Sequence, residues 1–181
     1  MVLGPEILLK LVNDKNIRLV ENLSLRELKK PEGAGFDLRL GQVHKIAGDA
    51  YMGIRTRRTA NYETVAKYEK GKRRFFTFRP GEQFLVTTIE RVNLPKDLTA
   101  NMWMRSTLYR SGMILSGGNV APGYKGELSF TFFNSGEIPV KIALGARVVH
   151  ILFYQVMGGG NLYEGQWQGG RVVAASKERQ I

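Results

Sequence analysis

A chain of 181 residues with an ordinary apolar share is long enough for one well-buried domain but short for a second, and disorder is not its default. The absence of cysteine excludes disulfides, zinc–thiolate sites and thiol nucleophiles, and His44 and His150 alone cannot build a histidine-rich metal site. A formal charge of +11 attracts anions, a description that fits both a triphosphate and a nucleic acid.

The first twelve residues carry Ile7, Leu8, Leu9, Leu11 and Val12 but no basic leading segment. They are too short and interrupted for a signal peptide or a membrane span, and no later segment reaches spanning length. The expectation is a cytoplasmic protein with no membrane partner. Pro5–Asn13 has the length and spacing of a short amphipathic helix with Pro5 in its first turn, and the pair Ile7 and Leu11 is expected to face the body. A short strand is expected at 17–20, whereas 23–29 has no decisive period.

From Gly35 the signal is β. Residues 36–43 alternate loosely, and Phe75, Phe76 and Phe78 run into the turn Arg79-Pro80-Gly81. Residues 84–89 are rich in β-branched and aromatic types, and 98–104 reads as a further strand. Leu128, Phe130 and Phe132 alternate with Ser129 and Thr131, placing apolar and polar residues on opposite faces. Val140, Ile142 and Leu144 repeat the pattern. The apolar run 148–154 reads as a strand buried on both faces, with His150 as a hydrogen-bonded core or interface histidine. Short strands separated by Gly and Pro suggest a sandwich or barrel in one domain, 1–181.

Two segments interrupt this body. Residues 51–74 carry Arg55, Arg57, Arg58, Lys67, Lys70, Lys72, Arg73 and Arg74 beside Tyr62 and Tyr68, and read as an exposed basic excursion. The glycine-rich tail, 158–181, holds Tyr163, Gln166 and Trp167 and reads as a segment that orders on binding.

Several stretches in order resemble the dUTPase/dCTP deaminase superfamily. Residues 33–41 (Gly-Ala-Gly-Phe-Asp-Leu-Arg-Leu-Gly) are similar to its first motif. Arg105-Ser106-Thr107-Leu108-Tyr109-Arg110 resembles the deaminase form of the second, and 119–127 (Asn-Val-Ala-Pro-Gly-Tyr-Lys-Gly-Glu) the third. Residues 145–153 resemble the fourth, and 163–170 the closing segment of the deaminase branch. The short span between Gly112 and Ala121 matches the compact-loop branch, in which deaminase and dUTPase activities are mixed.

The resemblance implies a mainly β fold, a distorted β-barrel or jelly-roll-like subunit (dUTPase-like, β-clip) with a short N-terminal helix, assembled as a homotrimer with sites shared between subunits. It implies a dUTP or dCTP ligand carried with Mg²⁺, and nucleotide metabolism as the setting. Arg105, Ser106, Thr107 and Arg110 would meet the phosphates, since a guanidinium fork and hydroxyls on a tight turn suit phosphate oxygens. Val120, Gly123 and Tyr124 would shape the base pocket, and Tyr163 and Gln166 would close over it. No direct metal ligand is expected; Asp37 would stand near the metal-bound triphosphate or act as a structural carboxylate.

The catalytic positions depart from the family. The aspartate that activates water in dUTPases is replaced by Ala121, and the deaminase glutamate by Thr131. Glu127 is the nearby carboxylate that could stand in, although alternation puts it beside the wrong position. Leu162 stands where the deaminase tail usually carries lysine. Three readings therefore stay open: a hydrolase of deoxypyrimidine triphosphates (dUTP diphosphatase or dCTP deaminase), a catalytically degenerate regulatory relative, and a nucleic-acid-binding trimer using the basic segment.

Overall fold

The computed structural model describes residues 1–172 and the backbone of residues 178 and 179. The remaining residues of the tail, although part of the 158–181 segment, lie outside the described set. Helix α1 (Pro5–Asn13) starts on the extended Gly4 with proline in its first turn, and Asp14 ends it, its N–H bonded to the Lys10 carbonyl at 3.0 Å. Leu8 is fully buried and Leu11 and Val12 are half-buried, an i, i+3, i+4 stripe, whereas Ile7 is 49% exposed. The inward pair is thus not Ile7 and Leu11: the helix is rotated to seat the Leu8 stripe.

The strand expected at 17–20 starts three residues later as β1 (Val20–Glu21), because Arg18 adopts φ 47° and turns the chain first. Residues 23–29 resolve into helix α2 (Leu25–Lys29), with the Ser24 hydroxyl accepting the Glu27 N–H at 3.3 Å. Its one buried residue is a carboxylate, Glu27, while Leu25 is 74% exposed.

The central strand β2 (Gly35–Ala47) is flanked by β7 (Gln83–Asn93) and β13 (Arg147–Gln155), all antiparallel. Adding β8 (Leu98–Met104), β9 (Met113–Ser116), β10 (Asn119–Val120) and β11 (Lys125–Asn134) gives the order β10-β8-β13-β2-β7-β11-β9 in one curled sheet. The core is dominated by aromatic edges: Phe78 meets Phe76, Phe84 and Phe132 at 5.0–5.9 Å between centroids, all T-shaped. Phe76 and Phe78 belong to β6 (Phe75–Phe78), which pairs with β12 (Val140–Ala143). The alternation of β11 is as the sequence reads it: Leu128, Phe130 and Phe132 are buried, Ser129 is exposed and Thr131 half-buried. The fold is mainly β with a short N-terminal helix.

The basic segment is more ordered than an excursion. It forms β3 (Tyr51–Met52), β4 (Thr56–Arg58) and β5 (Asn61–Lys67). β5 extends the main sheet beside β2, and β3 and β4 build a small sheet with β14 (Glu178–Arg179). Its turn is exposed: Ile54 is 96% accessible.

Gly35 illustrates how tightly the sheet closes, since a Cβ there would overlap the Ile151 carbonyl oxygen. Gly35→Ala is expected to cost about 1–3 kcal/mol through a forced backbone shift. Urea unfolding would show it as a lower midpoint; an unchanged midpoint would contradict this packing.

Candidate functional site

The first, second and fourth motifs meet at a buried carboxylate. Asp37 on β2 is 1% exposed, and its Oδ2 accepts from the guanidinium groups of Arg105 and of Arg147, the latter at 2.8 Å. His150 Nδ1 lies 2.9 Å from the other oxygen. Behind it the buried Glu27 accepts the Asp37 backbone N–H at 3.0 Å and pairs with Arg26 at 2.5 Å. Both Asp37 oxygens are therefore engaged by this chain's own cations and histidine, the arrangement of a structural carboxylate. Burial lowers the His150 pKa, with the Glu27 charge opposing that shift.

Arg105 sits at the N-cap of α3 (Ser106–Tyr109), its position fixed by Asp37 and by its N–H on the Val148 carbonyl at 3.0 Å. Ser106, Thr107 and Arg110 project into solvent from the same turn. Beside it lies an apolar hollow of about 650 Å³ between β8 and β9, lined by Met102, Trp103, Tyr109, Met113 and Ile114. Trp103 is 63% exposed and Tyr109 56%, a large aromatic surface left uncovered by this chain.

The third motif forms a separate hollow with the tail. Gly123, with φ 78°, turns the chain so that its N–H meets the Leu94 carbonyl at 3.0 Å. Val120, Ala121 and Tyr124 line a cavity of about 180 Å³ together with Met102, Ser129, Tyr163 and Trp167. The tail is fixed here by bonds of its own. The Tyr163 N–H meets the Pro122 carbonyl at 2.7 Å, the Gly169 N–H meets Lys125 at 2.7 Å, and Gln168 joins Lys125 and Gly123. Tyr163 stacks edge-on against Tyr124 at 5.5 Å. The Tyr124 phenol donates to the Glu127 carbonyl at 2.6 Å, and burial, aided by Tyr163 and Glu127, pushes its pKa up to about 12, so it stays protonated.

Gln166 points the other way, its oxygen accepting from Arg57 at 2.9 Å and its amide reaching Thr59 at 3.3 Å, tying the tail to the basic strands. The tail therefore packs against the third-motif turn of its own chain. Leu162 lies against Gly123.

At the positions that depart from the resemblance, Ala121 lines the cavity with a methyl group and Thr131 stands half-buried on the face of Ser129. Glu127 is held by Arg91, whose Nη1 lies 2.8 and 2.9 Å from its two oxygens, and the tail glycine Gly170 packs directly on it. That ion pair engages it as a structural group. The structure thus joins Val120, Tyr124 and Tyr163 in one cavity, with Gly123 as its turn. It leaves Arg105, Ser106, Thr107 and Arg110 beside the other hollow. Trp167, read in the sequence as an aromatic of the binding tail, lines this cavity, whereas Met102 and Ser129 were missed as lining residues.

A family model described as dCTP deaminase-like matches residues 2–156. The dCTP deaminase of Pyrococcus furiosus is 32% identical over 164 residues, 90% of this chain and 92% of that protein. The dCTP deaminase of Thermococcus kodakarensis is 34% identical over 162 residues, 89% of this chain and 92% of that one. The dUMP-forming dCTP deaminase of Dictyoglomus turgidum is 37% identical over 133 residues, 71% of this chain and 68% of its own. Among solved structures, the 2′-deoxycytidine 5′-triphosphate deaminase of Agrobacterium tumefaciens superposes with a TM-score of 0.62 at 16% identity. That match covers 86% of this chain but 48% of the other, and it is a likeness of fold.

Proposed function

Since the chain belongs to the dCTP deaminase-like family, we propose that it binds a deoxypyrimidine triphosphate and deaminates dCTP, with dUTP as the alternative ligand. The observation that carries this reading is the cavity in which the third-motif turn and the tail aromatics meet: Val120, Ala121 and Tyr124 on one side, Tyr163 and Trp167 on the other. Exposed backbone at such a turn can read the edge of a pyrimidine, and the aromatic roof excludes water. Ser106, Thr107 and Arg110 are the solvent-facing groups suited to phosphate oxygens, and Asp37 holds Arg105 beside them.

Mg²⁺ would neutralise charge on the triphosphate. Among the described residues no group of three or more His, Asp or Glu could hold a metal, and both Asp37 oxygens are occupied, so the ion would be held through the nucleotide. We also assign the chain to a homotrimer. The uncovered Trp103 face adjoins the phosphate-binding turn, and that turn and the base cavity line different hollows. A second copy covering the face would bring the phosphate-binding side chains of one chain to the cavity of its neighbour. Trp103→Asp is expected to convert the trimer to monomer in light scattering; an intact trimer would contradict this interface.

The function is tested by incubating the protein with dCTP or dUTP and Mg²⁺ and analysing for dUTP, dUMP, ammonia and pyrophosphate. Ammonia release from dCTP is the expected result. Binding without product would support the degenerate reading that Ala121 and Thr131 raise. No nucleotide binding, together with oligonucleotide binding that weakens steeply with salt and on neutralising Arg73 and Arg74, would favour the nucleic-acid reading.

A further inference from the structure

The basic strands and the tail hold each other at two places on β4. At the first, Arg57 Nε donates to the Gln166 side-chain oxygen at 2.9 Å, and the Gln166 amide donates to the Thr59 hydroxyl at 3.3 Å. At the second, β14 pairs antiparallel with β4, with Glu178 opposite Arg57 and Arg179 opposite Thr56. Arg57 therefore meets the tail through its side chain and faces it again along its backbone. Arg57, Thr59 and Gln166 are all half-buried, so water does not freely replace these bonds. Arg58, the next residue along the strand, takes the other face and pairs with Asp49.

Between Gln166 and Gln168 stands Trp167, which lines the base cavity. Gln168 is bound on the side of the third motif: its oxygen accepts the Lys125 N–H at 2.8 Å and its amide meets the Gly123 carbonyl at 2.9 Å. Gln166 is bound on the side of the hairpin, and Arg171 Nε on its carbonyl at 2.9 Å closes the turn behind it. The indole is thus spanned by two anchors on different elements, and together they fix its place on the cavity.

We propose that the β3–β4 hairpin is a clasp for the tail, and that Arg57 is a positioning residue for the nucleotide, holding Trp167 against the base cavity through Gln166. This inference rests on the nucleotide reading above and gives a role to a segment that reading leaves without one. A guanidinium suits the task, because a charge-assisted bond to an amide oxygen is stronger than a neutral one and its fork is rigid. A clasp of this kind acts on departure more than on arrival. The nucleotide enters while the tail is open, whereas its release has to break the bonds that hold the tail down.

The test compares the full chain with Arg57→Gln, Arg57→Lys and Arg58→Gln by two measurements. The first is amide hydrogen exchange of residues 163–170 without nucleotide. The second is the tryptophan fluorescence transient on mixing with dCTP and Mg²⁺, whose concentration dependence gives the association and dissociation rates. Arg57→Gln is expected to speed both the exchange and dCTP dissociation about tenfold, with association changed by about twofold at most. Arg57→Lys keeps a charged donor and should recover part of both effects, and Arg58→Gln should match wild type. Wild-type exchange in Arg57→Gln would overturn the clasp. Faster exchange with unchanged dissociation, the result for a contact that serves the fold alone, would overturn the positioning role. A wild-type chain that binds no dCTP would overturn the nucleotide reading and that role with it, while the exchange rates still decide the clasp.

Discussion

Asp37→Ala is expected to destabilise the protein by about 3 kcal/mol, because removing one partner from a buried ion pair strands the others. Here the stranded groups are two guanidiniums, those of Arg105 and Arg147, together with the His150 ring. Each arginine side chain is about one-third exposed, so water recovers part of the loss and the low end of the usual range applies. Glu27 offsets part of the loss, since its buried carboxylate keeps the residue-37 N–H and lies 3.9 Å from the Arg147 guanidinium. Equilibrium urea unfolding reads the effect directly. A change below about 1 kcal/mol would mean that the cluster behaves as a surface network.

Trp167→Ala should weaken dCTP binding by about 10- to 100-fold, the range of an aromatic–base stacking contact worth roughly 1–3 kcal/mol. Trp167 lines the base cavity, so its loss opens the cavity's wall. Stability should change little by comparison, since the indole is only half-buried and the tail's backbone bonds at Tyr163 and Gly169 do not depend on it. Calorimetric titration of wild type and variant with dCTP checks this; equal affinities would place the base elsewhere.

The strands and the motifs were legible in the sequence for a common reason: both are local patterns. The period of two in Leu128, Phe130 and Phe132 sets the buried face of β11 directly, and Pro5–Asn13 carries its own start signal. The rest depends on contacts between distant residues. Residues 23–29 lack a period because the helix buries Glu27, whose partners are the Asp37 amide and the arginines rather than an apolar core. β5 carries polar residues on both faces along an exposed edge, so no alternation announced it. The sequence marks Arg105 as a phosphate-binding candidate but does not show its bond to Asp37, 68 positions away.

The central claim is that the cavity beneath the tail aromatics holds a deoxypyrimidine triphosphate. Trp103 and Trp167 are the two tryptophans, so Trp103→Phe leaves Trp167 as the single indole reporter inside the site. Its fluorescence would be followed while dCTP, dUTP, dATP and dGTP are added in turn with Mg²⁺. A saturable change with dCTP or dUTP and none with the purine nucleotides is the predicted result. No change with either pyrimidine nucleotide, or an equal change with all four, would contradict it.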